Sequence, residues 1–91
     1  MTLYLDDLRE VDACERWTLL FSYHFPDGME LNFENCLLML RFKPSVRYLE
    51  RLFPWFDFEN YMDNKVSDIE VVEKFLRLLD YKELAPEHQY V

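Results

Sequence analysis

Residues 17–33 have the sequence WTLLFSYHFPDGMELNF, and its pattern predicts a β-hairpin. In 17–25 every second residue is large and apolar, and most of the residues between are polar. A period of two places one apolar face against a core and the other face toward solvent. The alternation resumes in 29–33. We therefore expect two antiparallel strands, with Leu19 and Phe21 facing inward from the first.

Pro26, Asp27 and Gly28 separate the two expected strands. Proline fixes φ for the first corner of a turn, and aspartate tolerates the second. Glycine adopts the left-handed conformation that closes a bulged three-residue turn. Because Gly28 is the only glycine of the chain, we expect it to stand where a positive φ is required.

Residues 36–42 form a continuous apolar run, CLLMLRF. A short run of this kind fits a buried strand or a buried helix equally well. The run follows the expected hairpin, with Asn35 as a turn residue before it and Pro44 as a stop behind it. This context favours a third antiparallel strand.

Two later segments have helical periodicity. In 45–53, Ser45 can cap a helix and Pro54 ends it, because proline disfavours helical geometry in the residue before it. In 67–81, Ser67 is followed three residues later by a glutamate, which is the pattern of a capping box. The apolar stripe expected for this helix consists of Ile69, Val72, Phe75 or Leu76, and Leu79.

The segment 2–15 fits a helix, although residues 2–5 could instead form a strand. The predicted fold class is α+β, in the order α-β-β-β-α-α. A small three-stranded antiparallel sheet, made of the hairpin 17–33 and the strand 36–42, would be covered by two or three helices. We expect residues 1–91 to form a single acidic globular domain, in which 86–91 is a flexible tail.

Composition and charge exclude several functional classes. Of the 91 residues, 18% are aromatic, which excludes a disordered tail. Eighteen acidic residues against ten basic ones give a net charge of −8, whereas direct nucleic-acid binding would need a basic face. No apolar run is long enough to cross a membrane, and we expect a cytoplasmic protein. The acids concentrate in 6–15 and 57–73, and basic residues in 41–51.

No constellation of residues indicates catalysis. Cys14 and Cys36 both fall on expected apolar stripes, so we expect two buried structural thiols. His24 is expected on the solvent side of the hairpin, without an orienting acid or nucleophile. The chain is therefore not expected to be an enzyme or to hold a cofactor.

The segment 53–61 holds five aromatic residues in nine positions, without a regular period, and acids are interleaved with the rings. We expect a link between helices, whose rings either cap the core or form an exposed surface that binds a partner. Aromatic residues dominate interface hot spots, and acids around them favour a basic target. These acids lack the spacing of an EF-hand loop, so no metal site is expected. The candidate partner-binding residues are Trp55, Phe56, Asp57, Glu59, Tyr61 and Asp63.

The function predicted from these features is binding of another protein, one with a basic surface. A short acidic chain without catalytic motifs is similar in style to antidotes of nuclease toxins and to phage-encoded anti-defence proteins. Its expected outline is similar to that of some anti-CRISPR inhibitors, which combine a three-stranded sheet with helices. The predicted role is inhibition of a nucleic-acid-processing protein. The alternative is a self-assembling adaptor, in which the acidic 57–73 of one copy docks on the basic 41–51 of another in a homodimer.

Overall fold

Helices account for most of the chain in the computed structural model, which describes residues 1–63 and 66–84. Within these residues there are six helices and two short strands. The predicted flexible tail at 86–91 lies outside the described residues. In chain order the elements are β1 (Thr2–Leu3), α1 (Leu5–Glu10), α2 (Glu15–His24), β2 (Met29–Glu30), α3 (Phe33–Arg41), α4 (Val46–Leu52), α5 (Phe58–Asp63) and α6 (Asp68–Leu84).

The sheet has two strands rather than the predicted three. Strand β1 pairs antiparallel with β2, with Thr2 opposite Glu30 and Leu3 opposite Met29. Both interpretations of the segment 2–15 hold in part, because the strand β1 is followed directly by the helix α1. The predicted three-stranded sheet, and with it the order α-β-β-β-α-α, is wrong.

The first predicted strand is the helix α2. Its buried residues are Trp17 and Phe21, which lie four positions apart and therefore on one helical face. A strand would also have placed Leu19 and Tyr23 on this buried face. In the structure they are 62% and 82% exposed. The apolar residues of 17–25 satisfy both periods, and packing against the rest of the chain selects the helical one. The hairpin 17–33 therefore does not form.

The predicted strand at 36–42 lies almost wholly in the helix α3. Asn32 starts this helix, since its side-chain oxygen accepts a hydrogen bond of 2.9 Å from the backbone N–H of Asn35. Asn35 was expected to be a turn residue but stands in the first helical turn. The buried residues of α3 recur at helical spacing: Cys36, Met39 and Leu40.

The two predicted helices are confirmed, and the serine that precedes each accepts a hydrogen bond from its first turn. The Ser45 hydroxyl accepts a hydrogen bond of 3.3 Å from the N–H of Arg47 at the start of α4. The Ser67 hydroxyl accepts one of the same length from the N–H of Glu70 at the start of α6. Helix α6 extends beyond the predicted end, and Ile69 is exposed rather than part of the buried stripe. That stripe consists of Val71, Val72, Phe75 and Leu79.

The turn at Gly28 joins the helix α2 to the strand β2, whereas the prediction had it join two strands. Its φ of +105° confirms the predicted positive value. Its N–H donates a hydrogen bond of 3.1 Å to the carbonyl of Phe25, just beyond the end of α2. A Cβ added at this position would lie 2.7 Å from the Tyr4 ring. Gly28 is therefore required both by its backbone conformation and by the closeness of its neighbour.

One apolar core lies between the helices, in a molecule with extents of 37 × 29 × 22 Å. Helix α3 packs against α6, α1 against α2 and α4, and α5 against α4 and α6. Among the described residues, no polar or charged residue is buried. The buried apolar residues from the first half of the chain are Leu3, Leu8, Trp17, Phe21, Met29, Leu31, Cys36, Met39 and Leu40. Those from the second half are Leu49, Phe53, Phe56, Phe58, Val71, Val72, Phe75 and Leu79.

Candidate functional site

The aromatic residues of 53–61 form a cluster around Phe75 of α6. The Phe53 ring meets the Phe75 ring edge to face at 4.9 Å between centroids, and the Phe56 ring does so at 5.5 Å. Phe58 lies 5.8 Å from the same ring. These geometries are those that aromatic pairs prefer, and each contributes about 0.5–1.5 kcal/mol beyond the burial of area. The segment predicted as a link between helices thus contains the helix α5 and supplies much of the core.

Trp55 and Tyr61 lie at the rim of this cluster and are half-buried. The Trp55 ring stacks on Phe75 at 5.2 Å with an angle of 18° between the planes. The Tyr61 ring stacks on Phe56, also at 5.2 Å, with an angle of 16°. Each rim ring is therefore held by a buried ring, while part of its surface reaches solvent.

Helix α6 brings two lysines to the rim rings. The Lys82 ammonium lies 5.5 Å from the centre of the Trp55 ring, and the Lys74 ammonium lies 5.4 Å from the centre of Tyr61. Both distances are in the range of cation–π contacts. Leu78 stands midway between the two lysines at a spacing of four residues, so all three share one flank of the helix.

Two exposed apolar residues of α6 extend the rim into a larger surface. Leu78 is 43% exposed, and Tyr81, three residues later on the same flank, is 53% exposed. Large apolar side chains grouped on a surface mark interaction sites more often than scattered ones do. We call this region the aromatic surface; its residues are Trp55, Tyr61, Lys74, Leu78, Tyr81 and Lys82.

The other four predicted partner-binding residues differ in burial and in local role. Phe56 is only 3% exposed, so it supports Tyr61 from beneath. Asp57 and Glu59 are exposed, and a carboxylate oxygen of Asp57 accepts a hydrogen bond of 3.1 Å from the N–H of Asn60. Asp57 therefore caps α5 as well as carrying surface charge. Asp63 ends α5, and its side chain is not among those that the structure describes.

The two cysteines differ in environment. Cys36 is buried as predicted, and burial raises the pKa of its thiol to about 12. Cys14 is exposed, so the prediction of a second buried thiol is wrong. Cys14 directly precedes α2, at a position that the core does not cover. His24 is exposed, and its ring lies 5.0 Å from that of Phe42.

The described residues form neither a cluster of metal ligands nor a membrane-spanning helix. In residues 1–63 and 66–84, no three histidine, cysteine or acidic residues come together as metal ligands. No helix in the part of the chain that the structure describes is both long and apolar enough to cross a membrane. Comparison with known proteins found no matching family model, curated protein or solved structure.

Sequence reasoning found the rim rings but missed the flank of α6. The expected stripe of that helix ended at Leu79, and Leu78 and Tyr81 stood outside it without an assigned role. The signal available in the sequence was that these two residues are apolar but lie outside the buried stripe of an amphipathic helix. Only the fold shows that their flank borders Trp55 and Tyr61.

Proposed function

We propose that this chain is a small acidic protein-binding module, and that the aromatic surface contacts a basic partner protein. The observation that carries the proposal is the placement of Trp55 and Tyr61. Both rings are fixed from beneath by buried rings and already accept ammonium groups of their own chain. A partner's lysine or arginine could bind to the same rings.

Stacking on the core lowers the conformational entropy lost on binding. An interface side chain that becomes ordered only on association costs about 0.5–1.5 kcal/mol. Trp55 and Tyr61 lose little conformational entropy on binding, because their stacking on Phe75 and Phe56 already restricts them. Rigid, half-exposed tryptophan and tyrosine rings are the usual anchors of interface hot spots.

Charge supports a basic partner. The chain has a net charge of −8, and Asp57 and Glu59 are exposed beside the rim rings along the chain. Surface charge of one sign speeds the approach of an oppositely charged protein and contributes less to the lifetime of the complex. Lys74 and Lys82 oppose this attraction locally, so a partner's cation must displace them from the rings or bind beside them.

The role that we propose is inhibition of a basic nucleic-acid-processing protein, in the manner of an antidote or a phage-encoded anti-defence protein in the host cytoplasm. Nucleases and related enzymes carry basic surfaces for their substrates, and an acidic protein bound there would block access. A homodimer is the second candidate, because Leu78 and Tyr81 could cover the same residues of another copy. Light scattering separates the two: a hetero-partner predicts a monomer of 11.3 kDa in isolation, and self-assembly predicts a stable dimer.

The binding test compares matched variants against the partner retained from the native cell. Trp55→Ala should weaken binding by about 2–4 kcal/mol if the ring is central to the interface. The triple variant Asp57→Asn, Glu59→Gln, Asp63→Asn should slow association and flatten its dependence on salt. Asparagine at position 57 can still cap α5, so the fold is retained.

Ile69→Ala is the control for Trp55→Ala. Ile69 is 50% exposed and stands nine residues before Leu78, about half a turn round α6 from the aromatic surface. It should bind like the wild type. All variants are first shown to be folded by circular dichroism. The aromatic surface is not the binding site if Trp55→Ala and Ile69→Ala bind equally well.

A further inference from the structure

A recessed surface that shares no residue with the aromatic surface lies between the start of α2 and the start of α4. It is a cleft with a volume of about 280 Å³. Arg16 and Leu20 of α2 line one side, and Phe42, Lys43 and Tyr48 line the other. We call it the α2–α4 cleft. It has no part in the function proposed above.

The walls of the cleft are aromatic and fixed. The Tyr48 ring stacks on the buried Trp17 at 5.6 Å with an angle of 13° between the planes. Phe42 is half-buried, and its ring lies 5.0 Å from His24. An apolar side chain of a ligand would meet preformed rings here, so little ordering is needed on binding.

The charge of the cleft is opposite to that of the molecule. Arg16 and Lys43 line it, and no acidic residue is among the described residues that do so. Arg41 and Arg47 stand close by in the chain and are also exposed. None of the four takes part in an ion pair with another described residue, although the sequence has eighteen acidic residues against ten basic ones. Their charges therefore remain available to a ligand.

The backbone places Lys43 at the edge of the cleft. Its φ is +54°, in the left-handed region, and its N–H donates a hydrogen bond of 3.0 Å to the carbonyl of Leu40. Glycine is the residue that usually ends a helix in this conformation, and a lysine there is strained. Glycine would therefore fit this backbone conformation with less strain, whereas lysine places a cation at the edge of the cleft and near the C-terminus of α3, where the helix dipole favours positive charge.

We propose that the α2–α4 cleft binds an acidic peptide segment of a partner protein. Carboxylates of the peptide pair with Arg16 and Lys43, and an apolar side chain lies against Phe42 and Tyr48. A peptide fits better than a nucleic acid, because a net charge of −8 repels a polyanion that extends beyond the cleft. The same net charge on both molecules opposes a second copy of this chain as the occupant.

The surface of α2 next to the cleft lengthens the proposed binding site. Arg16 and Leu20 also border an open groove with Glu15, Leu19 and Tyr23. Because the Glu15 carboxylate repels acidic residues, the peptide must present apolar rather than acidic side chains to this groove. Leu19 and Tyr23 are highly exposed. A peptide that places a carboxylate at Arg16 can therefore continue across Leu20 and meet these apolar side chains.

The test uses a labelled six-residue peptide, Glu-Asp-Phe-Glu-Asp-Leu, and its uncharged counterpart, Gln-Asn-Phe-Gln-Asn-Leu. Binding is followed by fluorescence anisotropy at low and high salt. The acidic peptide should bind, and the uncharged one should bind at least tenfold more weakly. Lys43→Gly and Arg16→Gln should each weaken binding of the acidic peptide by about fivefold to tenfold, as expected for loss of one charge-assisted contact.

Lys43→Gly keeps the positive φ, so loss of binding in this variant reflects loss of the cation rather than loss of the fold. Arg77→Gln, at an exposed position of α6, is the matched control for charge and should bind like the wild type. Amide chemical shifts should change around 16–20 and 42–48 and stay constant around 55–61.

Equal binding of both peptides, an unchanged affinity of Lys43→Gly and Arg16→Gln, or shifts centred on 55–61 would overturn the proposal. A dimer in light scattering whose formation shifts the amide signals around 16–20 and 42–48 would also overturn it, because a second copy would then occupy the cleft. The peptide and variant results do not bear on the basic partner proposed for the aromatic surface, whereas a dimer counts against the monomer that this partner predicts.

Discussion

At Gly28 the backbone and a neighbouring side chain impose the same requirement. The φ of +105° strains any residue with a Cβ, and that atom would lie 2.7 Å from the Tyr4 ring. Gly28→Ala should therefore destabilise the protein by more than about 1 kcal/mol. Urea unfolding measures the change. Asp27→Ala, at the exposed neighbouring position, is the control and should change stability by less than about 0.5 kcal/mol. An unchanged midpoint for Gly28→Ala would contradict the assigned conformation.

The two thiols should react at very different rates. The thiolate is the reactive form, and burial raises the pKa of Cys36 to about 12, so this thiol stays protonated at neutral pH in the folded protein. Cys14 is exposed. Brief treatment with iodoacetamide should alkylate Cys14 and leave Cys36 unmodified, as read by mass spectrometry of peptides. In urea both should react. Equal alkylation of the folded protein would show that Cys36 is not buried.

At the level of elements, one pair of substitutions separates a helical α2 from a strand. Phe21 is fully buried, so Phe21→Ala should destabilise by about 3–5 kcal/mol in either structure. Leu19 is 62% exposed in the helix, whereas a strand would place it in the core beside Phe21. Leu19→Ala should therefore change the free energy of unfolding by less than about 0.5 kcal/mol. A loss of 2 kcal/mol or more, about the size of a buried-leucine truncation, would favour the strand.

The elements that could be predicted from the sequence are those with local end signals. Ser45 and Ser67 accept hydrogen bonds from backbone N–H groups within the next turn, so a few residues suffice to mark the start of α4 and α6. Helices α2 and α3 have apolar residues that suit more than one period. Their burial depends on helices that are distant in sequence: α3 packs against α6, which begins 27 residues after α3 ends.

The candidate site could also be predicted only in part from the sequence. The density of rings in 53–61 indicated that the segment either caps the core or forms an exposed surface, and the structure divides its rings between the core and the rim. No pattern within the segment distinguishes Phe56, which is buried, from Trp55, which reaches the surface. That difference is set by Phe75 and its helix. The flank with Leu78 and Tyr81, like the α2–α4 cleft, combines elements that are separate in the sequence.

For the whole molecule, the aromatic cluster makes stability and the proposed function depend on the same residues. Phe75 contacts four rings, and one of them is Trp55 of the aromatic surface. Phe75→Ala should destabilise by about 3–5 kcal/mol and abolish partner binding through loss of the fold. Thermal unfolding followed by circular dichroism measures the first effect. Cooperative unfolding at an unchanged temperature would contradict the central place of Phe75 in the core.

The charge of the whole molecule and the charge of the α2–α4 cleft have opposite signs. The net charge of −8 favours the basic partner that we propose, whereas Arg16 and Lys43 form a local basic region at the α2–α4 cleft. The two proposed surfaces would let one small domain bind two segments of opposite charge. Raising the salt concentration should weaken both interactions, because exposed charges are screened beyond a Debye length.

The central claim is that the aromatic surface meets the partner, and oxidative labelling of rings in the free and bound protein tests it most directly. Mass spectrometry measures the labelling rates of Trp55 and Tyr61. Tyr4, which is exposed beside Gly28, is the internal reference, and the buried Trp17 gives the background rate. We predict that Trp55 and Tyr61 lose most of their labelling in the complex while Tyr4 keeps its rate. Unchanged labelling of Trp55 and Tyr61 in a complex that has formed would contradict the claim.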